Sequence, residues 1–217
     1  MHADIAQTVH RMAHTCGVRS YLGGQWCDLG RKANGDAMLA DILFQGLYPD
    51  DDDTGAKIYG DFTIRKVVGG DGKVSHNDHE DPEGSITNGI NTNGIKDKAK
   101  QYLEAVNDRR VRVDALVINS GGRMSKCFDT LLYVLAKRKV TKELGPMEDV
   151  DDWEEVVERR HCIARAKHEM QGAVQVARVR AQFSIIWAVS ERTNSQRVQV
   201  RKKRTQELGP SSSLAAV

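Results

Sequence analysis

Hydrophobic and polar positions alternate differently along the chain, and they divide it into segments. Residues 1–47 are weakly patterned: Ala3–Ala13 reads as a short helix, Gly23-Gly24 as a turn, and Ala37–Phe44 as a helical stretch carrying Met38, Leu39, Ile42 and Leu43. Pro49 to Gly55, which contains Asp50 to Asp53, interrupts this region. Ala56–Ile64 (AKIYGDFTI) predicts a strand with Ile58, Phe62 and Ile64 on one face. Residues 67–94 are rich in Gly, Asp, Asn, Ser and His and predict a long mobile loop.

Ile95–Val106 places Ala99, Leu103 and Val106 or Tyr102 at helical spacing. Val113–Asn119 is an almost unbroken β-branched run, which suits a strand covered on both faces, as in parallel sheets. Ser120-Gly121-Gly122 ends it, and a helix from Met124 to Lys137 follows, burying Phe128, Leu131, Leu132 and Leu135. Strand, helix, strand, glycine turn and helix form a βαβ unit, so the fold class is α/β. Beyond it, Asp149–Met170 is helical in pattern. Ala173–Val179 reads as a strand, Phe183–Val189 as an apolar run, Val198–Val200 as a last short strand, and Pro210–Val217 as a flexible tail.

A chain of 217 residues with 40% hydrophobic and 29% charged residues can bury a core, which excludes wholesale disorder. The net charge of +2 selects no partner, but Arg197–Arg204 carries five cations and no acid. No apolar run is long enough to span a bilayer, and Met1–Ala13 lacks an apolar leader core. Cys16, Cys27, Cys127 and Cys162 form no CxxC pair, so reduced thiols and a cytoplasmic setting are expected.

The segment VDALVINSGG with its following helix carries the most chemistry. A buried strand ending in two glycines leaves backbone N–H groups without a Cβ in the way, and a helix starting there adds its positive end. Such a mouth can hold a developing oxyanion, a large term in acyl transfer. The plain alternative is an everyday strand-to-helix turn.

KIYGDFT, AKQYLEAVND, VDALVINSGG and CFDTLLYVL together resemble the Clp proteolytic subunits and their phage head-maturation relatives, and more distantly signal peptide peptidase A and the crotonases. The resemblance covers residues 56–66 and 95–137. It implies a ClpP/crotonase-like spiral of ββα units over residues 55–205, with an N-terminal extension (1–54), a helical insertion (145–172) and a tail (206–217). It also implies a homo-oligomer, a peptide or protein substrate, no cofactor, and an oxyanion hole from the Gly121 and Gly122 amides. The family's proline before the glycine pair is missing, so Asn119-Ser120-Gly121-Gly122 is one residue short.

With 145–172 as an insertion, Ala181-Gln182-Phe183-Ser184 resembles the family's nucleophile elbow, and Ser184 becomes the nucleophile. Asn194–Arg201 then resembles the family's histidine-bearing strand, with Arg201 where the base belongs. Arginine stays protonated and cannot take a serine's proton. Lys202 or Lys203 could serve a Ser–Lys dyad only if desolvated. The expected function is a divergent Clp-like serine peptidase, or an impaired descendant kept as a structural subunit.

Other clusters carry less. His76, Asp78, His79, Glu80 and Asp81 are metal-capable side chains on a glycine-rich loop that would not hold them rigid, and Asp50 to Asp53 lack calcium-loop spacing. No metal site is assigned. His161, Cys162 and His168 read as surface or packing residues of a helix. The alternative function is a non-catalytic oligomeric assembly or nucleic-acid-binding protein of coat type. Arg197, Arg201, Lys202, Lys203 and Arg204 would then meet phosphates, and the helix 149–170 would join subunits.

Overall fold

A computed structural model describes residues 3–25, 29–31, 36–48, 57–65, 95–103, 112–146 and 152–207. In chain order these form α1 (Ala3–Thr15), β1 (Arg19–Gln25), β2 (Leu39–Gln45), β3 (Lys57–Arg65), a helical segment α2 (95–101), β4 (Arg112–Asn119), α3 (Lys126–Leu144) and α4 (Trp153–Glu207). The protein is mixed α/β, with one four-stranded sheet in the order β1-β2-β3-β4. The first three strands pair antiparallel, whereas β3 and β4 are parallel, in register from Ile58↔Arg112 to Arg65↔Asn119.

Strand alternation gives the sheet two faces. Ile42, Phe44, Ile58, Phe62, Leu116 and Ile118 pack under the helices, against Ile5 and Val9 of α1, Phe128 and Leu132 of α3, and Met170 and Val174 of α4. Leu43, Tyr59 and Val113 face the other way, with Leu29, Met38 and Tyr102. The two strands and two helices expected at Ala56–Ile64, Val113–Asn119, Met124–Lys137 and Ala3–Ala13 are all present, within two residues at their ends except that the third runs on to Leu144.

Residues 37–44 depart from the expected helix: this stretch is β2. Its apolar positions fit either period, as short apolar runs do. Pairing on both edges, to β1 and to β3, decides for a strand. Gly23-Gly24, expected as a turn, lies inside β1, where Gly24 pairs with Ala40. α1, β1 and β2 are therefore part of the sheet and its core rather than an extension of it.

The larger correction concerns the end of the chain. The strands expected at Ala173–Val179 and Val198–Val200 are absent, and both stretches lie within α4. Valines at 174, 176 and 179 suggested a strand, yet the buried positions are Ala166, Met170, Val174, Ala177 and Ala181. Those intervals of three and four belong to a helix lying on α1 and α3. The helical insertion expected at 145–172 instead starts at Gly145 (φ +81°), the C-cap of α3, and its described remainder, from Trp153, is the first third of one 55-residue helix. Its final residues include Gln206 and Glu207, read as tail. The loop 67–94, the acidic stretch Asp50 to Asp53, and Pro210–Val217 lie outside the described residues. No helix among the described residues is long and apolar enough to cross a membrane.

Candidate functional site

The carboxyl end of the parallel pair is where sequence reasoning placed its site. Beyond Asn119 the chain does not run straight into a helix. The Gly122 amide donates to the Asn119 carbonyl (2.9 Å), and two bonds join Asn119 and Arg123: the Asn119 amide donates to the Arg123 carbonyl, and the Arg123 amide to the side-chain Oδ1 of Asn119, each at 3.0 Å. The chain then doubles back along β4, with Met124 bridged to Ile118 and the Ser125 amide donating to the Val117 carbonyl (2.8 Å). Buried Ser125 caps α3, its Oγ accepting from the Phe128 and Val117 amides and donating to the Ala115 carbonyl. So α3 begins beside the middle of β4, and its first donors meet a serine rather than an open mouth.

This changes the standing of the glycine amides. Gly122, expected as an oxyanion donor, uses its N–H within the turn. The Gly121 amide has no hydrogen-bond partner among the described residues, and Gly121 is exposed. α4 closes over the turn from outside: Gln175 Nε2 donates to the Gly122 carbonyl, and Arg178 Nη1 to the Ser120 carbonyl. Lys167 and Gln171 both reach Asp129 of α3, at 2.7 and 2.8 Å. Between these elements lies a cleft of about 430 Å³ lined by Gly122, Arg123, Met124, His168, Gln171 and Gln175, among others.

Ser184, expected as the nucleophile on a strand-to-helix elbow, sits instead on an exposed turn within α4, its hydroxyl donating to the Arg180 carbonyl at 3.0 Å. Nine residues separate it from Gln175, the residue that touches Gly122. At about 100° and ~1.5 Å per residue, Ser184 faces the opposite side of the helix, roughly 13 Å further along. The elbow is missing because α4 has no break between 172 and 184. Arg197, Arg201, Lys202, Lys203 and Arg204, read as a basic strand, all lie on the last turns of α4. His161 and His168 are exposed on α4, and half-buried Cys162 packs against the main core. The residues His76 to Asp81 lie outside the described residues. Among the described residues no group of three or more His, Cys, Asp or Glu could hold a metal.

Two polar features on the other sheet face escaped the sequence reading. Asp61 of β3 is buried and accepts from Lys98 Nζ (2.8 Å) and the Tyr102 hydroxyl (2.6 Å), which pins the segment 95–103 to the sheet. Burial pushes the Asp61 carboxyl above its ordinary range. The bonds from Lys98 and Tyr102 oppose that shift, and Asp41 adds to it. Burial and then Asp61 push the Tyr102 hydroxyl up in turn. Lys98 and Tyr102 stand four apart, one face of a helix, and that spacing was the available signal. Further along the same face, Thr63 Oγ1, Arg65 Nε and Asn119 Nδ2 are buried and meet no hydrogen-bond partner among the described residues. Arg65 and Asn119 are register partners.

The remaining feature is the far part of α4. Among the side chains described, Ala181 is the last buried one, and each of those described from Phe183 to Gln199 is exposed. The 26 residues from Gln182 to Glu207 extend about 39 Å at ~1.5 Å each. Phe183 and Trp187, 65% and 70% exposed, stand four apart on this arm. No protein-family model matches the chain, and no curated protein and no solved structure matches it either.

Proposed function

We propose that this is a non-catalytic assembly protein whose compact α/β body carries α4 as a docking arm. The observation that carries the reading is the exposure of Phe183 and Trp187, at 65% and 70%, beyond Ala181, the last buried side chain among those described on α4. Two large aromatic side chains on one turn hold far more apolar surface than a solvated helix needs, and burying them against a partner supplies its main driving force. The cations from Arg197 to Arg204 lie on the arm's last turns, where they keep it soluble and set the charge a partner must complement.

Sedimentation equilibrium on the full chain tests the proposal. The native protein is expected to self-associate, and Phe183→Glu with Trp187→Glu is expected to sediment as a monomer with unchanged circular dichroism. A native chain that is monomeric at every concentration would contradict it.

A second reading, a divergent Clp-like peptidase with the family's spiral of ββα units, draws support from β3 and β4 lying parallel with a helical segment between them and a glycine turn after. It needs Ser184 to meet a base and an oxyanion donor in a conformation other than the one described. Labelling by a fluorophosphonate, lost in Ser184→Ala, would favour that reading over the assembly role.

A further inference from the structure

We infer that two copies of the chain pair through α4 in antiparallel alignment, with Phe183 beside the partner's Val176, Trp187 over the partner's Gly172, and Arg201 opposite the partner's Glu158. This rests on the assembly reading and adds its partner and register.

α4 divides its circumference between a core side and an exposed line. Its core side is set by Ala166, Met170, Val174, Ala177 and Ala181. At about 100° per residue, positions 158, 172, 176, 183, 187 and 201 fall on a narrow line well away from that side. Glu158 and Gly172 are exposed, and Val176, Phe183 and Trp187 are 51%, 65% and 70% exposed. The intervals between these six positions run 14, 4, 7, 4 and 14, the same in both directions. A line with that symmetry can lie against a reversed copy of itself, which is the requirement of an isologous two-fold interface.

The chemistry at each opposed pair fits. A bulky indole meets a residue with no side chain, so two backbones can approach there. Val176 and Phe183 offer apolar surface to each other. Glu158 belongs to the acidic start of α4, with Glu154 and Glu155, and Arg201 to its basic end. Antiparallel pairing brings those opposite charges together at both ends of the interface. Parallel pairing would set the Arg197–Arg204 run against itself, and close like charges disfavour it. One element works against the dimer: near the two-fold axis Arg180 lies beside its own copy.

The test has two arms, both on the full chain. In sedimentation equilibrium, Glu158→Arg should weaken the dimer several-fold and Glu158→Arg with Arg201→Glu should restore it. Arg180→Leu should tighten it, and Phe183→Ala should weaken it about tenfold or more. In the second arm, a benzoylphenylalanine placed at position 187 is photolysed and the product digested with trypsin. Antiparallel pairing predicts a cross-link to the partner's peptide 168–178, which lies ~22 Å away along the same helix and is out of reach within one chain. A dimer cross-linked at peptide 181–192 overturns the antiparallel register and leaves the assembly reading in place. A chain that is monomeric throughout overturns both.

Discussion

Gly60 has no room for a side chain. A Cβ built there would lie 2.7 Å from Ile42 Cγ2 and 2.8 Å from Leu116 Cδ1, both in the core under the helices. The IYGD pattern therefore has a packing reason in this protein, since a bare backbone in mid-β3 lets side chains from β2 and β4 close over it. Gly60→Ala should cost about 1–3 kcal/mol by overpacking, read as a lower urea midpoint at unchanged slope; a variant as stable as the native chain would refute this account of the core. Asp61, next along, shows the opposite solution. It is a buried carboxylate kept in place because Lys98 and Tyr102 reach it.

At the scale of elements, the question is which of two periods a segment obeys. Val174 and Val176 would share a face in a strand, so Ala173–Val179 read as a strand makes them equivalent. In α4 they are not: Val174 is fully buried against α1 and α3, and Val176 is half exposed. Val174→Ala should cost about 1–3 kcal/mol and Val176→Ala almost nothing, compared by chemical denaturation in the Phe183→Glu, Trp187→Glu background so that self-association does not enter. Equal losses would restore the strand.

The same contrast explains what could be read from the sequence. β3 and α3 were legible from their periods and β4 from its unbroken β-branched run, α1 showed through a weaker pattern, and Gly121-Gly122 marked the turn between β4 and α3. β2 was not, because LADILFQ is short and its strand character comes from neighbours on both edges. The run after Gly172 was misread because three valines outweighed the interleaved Gln and Arg, and because a family resemblance asked for a strand there. Of the candidate site, the glycine turn was found in its place. The doubling back at Ser125 was invisible, since it depends on contacts between Ser125 and β4 that no local pattern announces.

For the whole molecule, the body is tied together by cations reaching carbonyls at the ends of distant elements. Arg138 Nη2 holds the Gly46 carbonyl (2.7 Å) after β2, Lys142 holds the Thr15 carbonyl (3.0 Å) at the end of α1, and Arg159 Nη1 holds the Gly145 carbonyl (2.8 Å) between α3 and α4. The Arg159 bond ties the start of α4 to the end of α3, as the proposed arm requires. A catalytic elbow at Ser184 and a projecting arm are mutually exclusive uses of the same residues, so the continuity of α4 is the claim on which the account turns. It is tested most directly by double electron–electron resonance between spin labels at His161 and Glu191, in a background with the native cysteines replaced and diluted with unlabelled chain. One straight helix predicts a narrow distribution near 45 Å, from thirty residues at ~1.5 Å each; a distance far short of that would show the chain folding back after residue 172 and would return the strand, the elbow and the peptidase reading together.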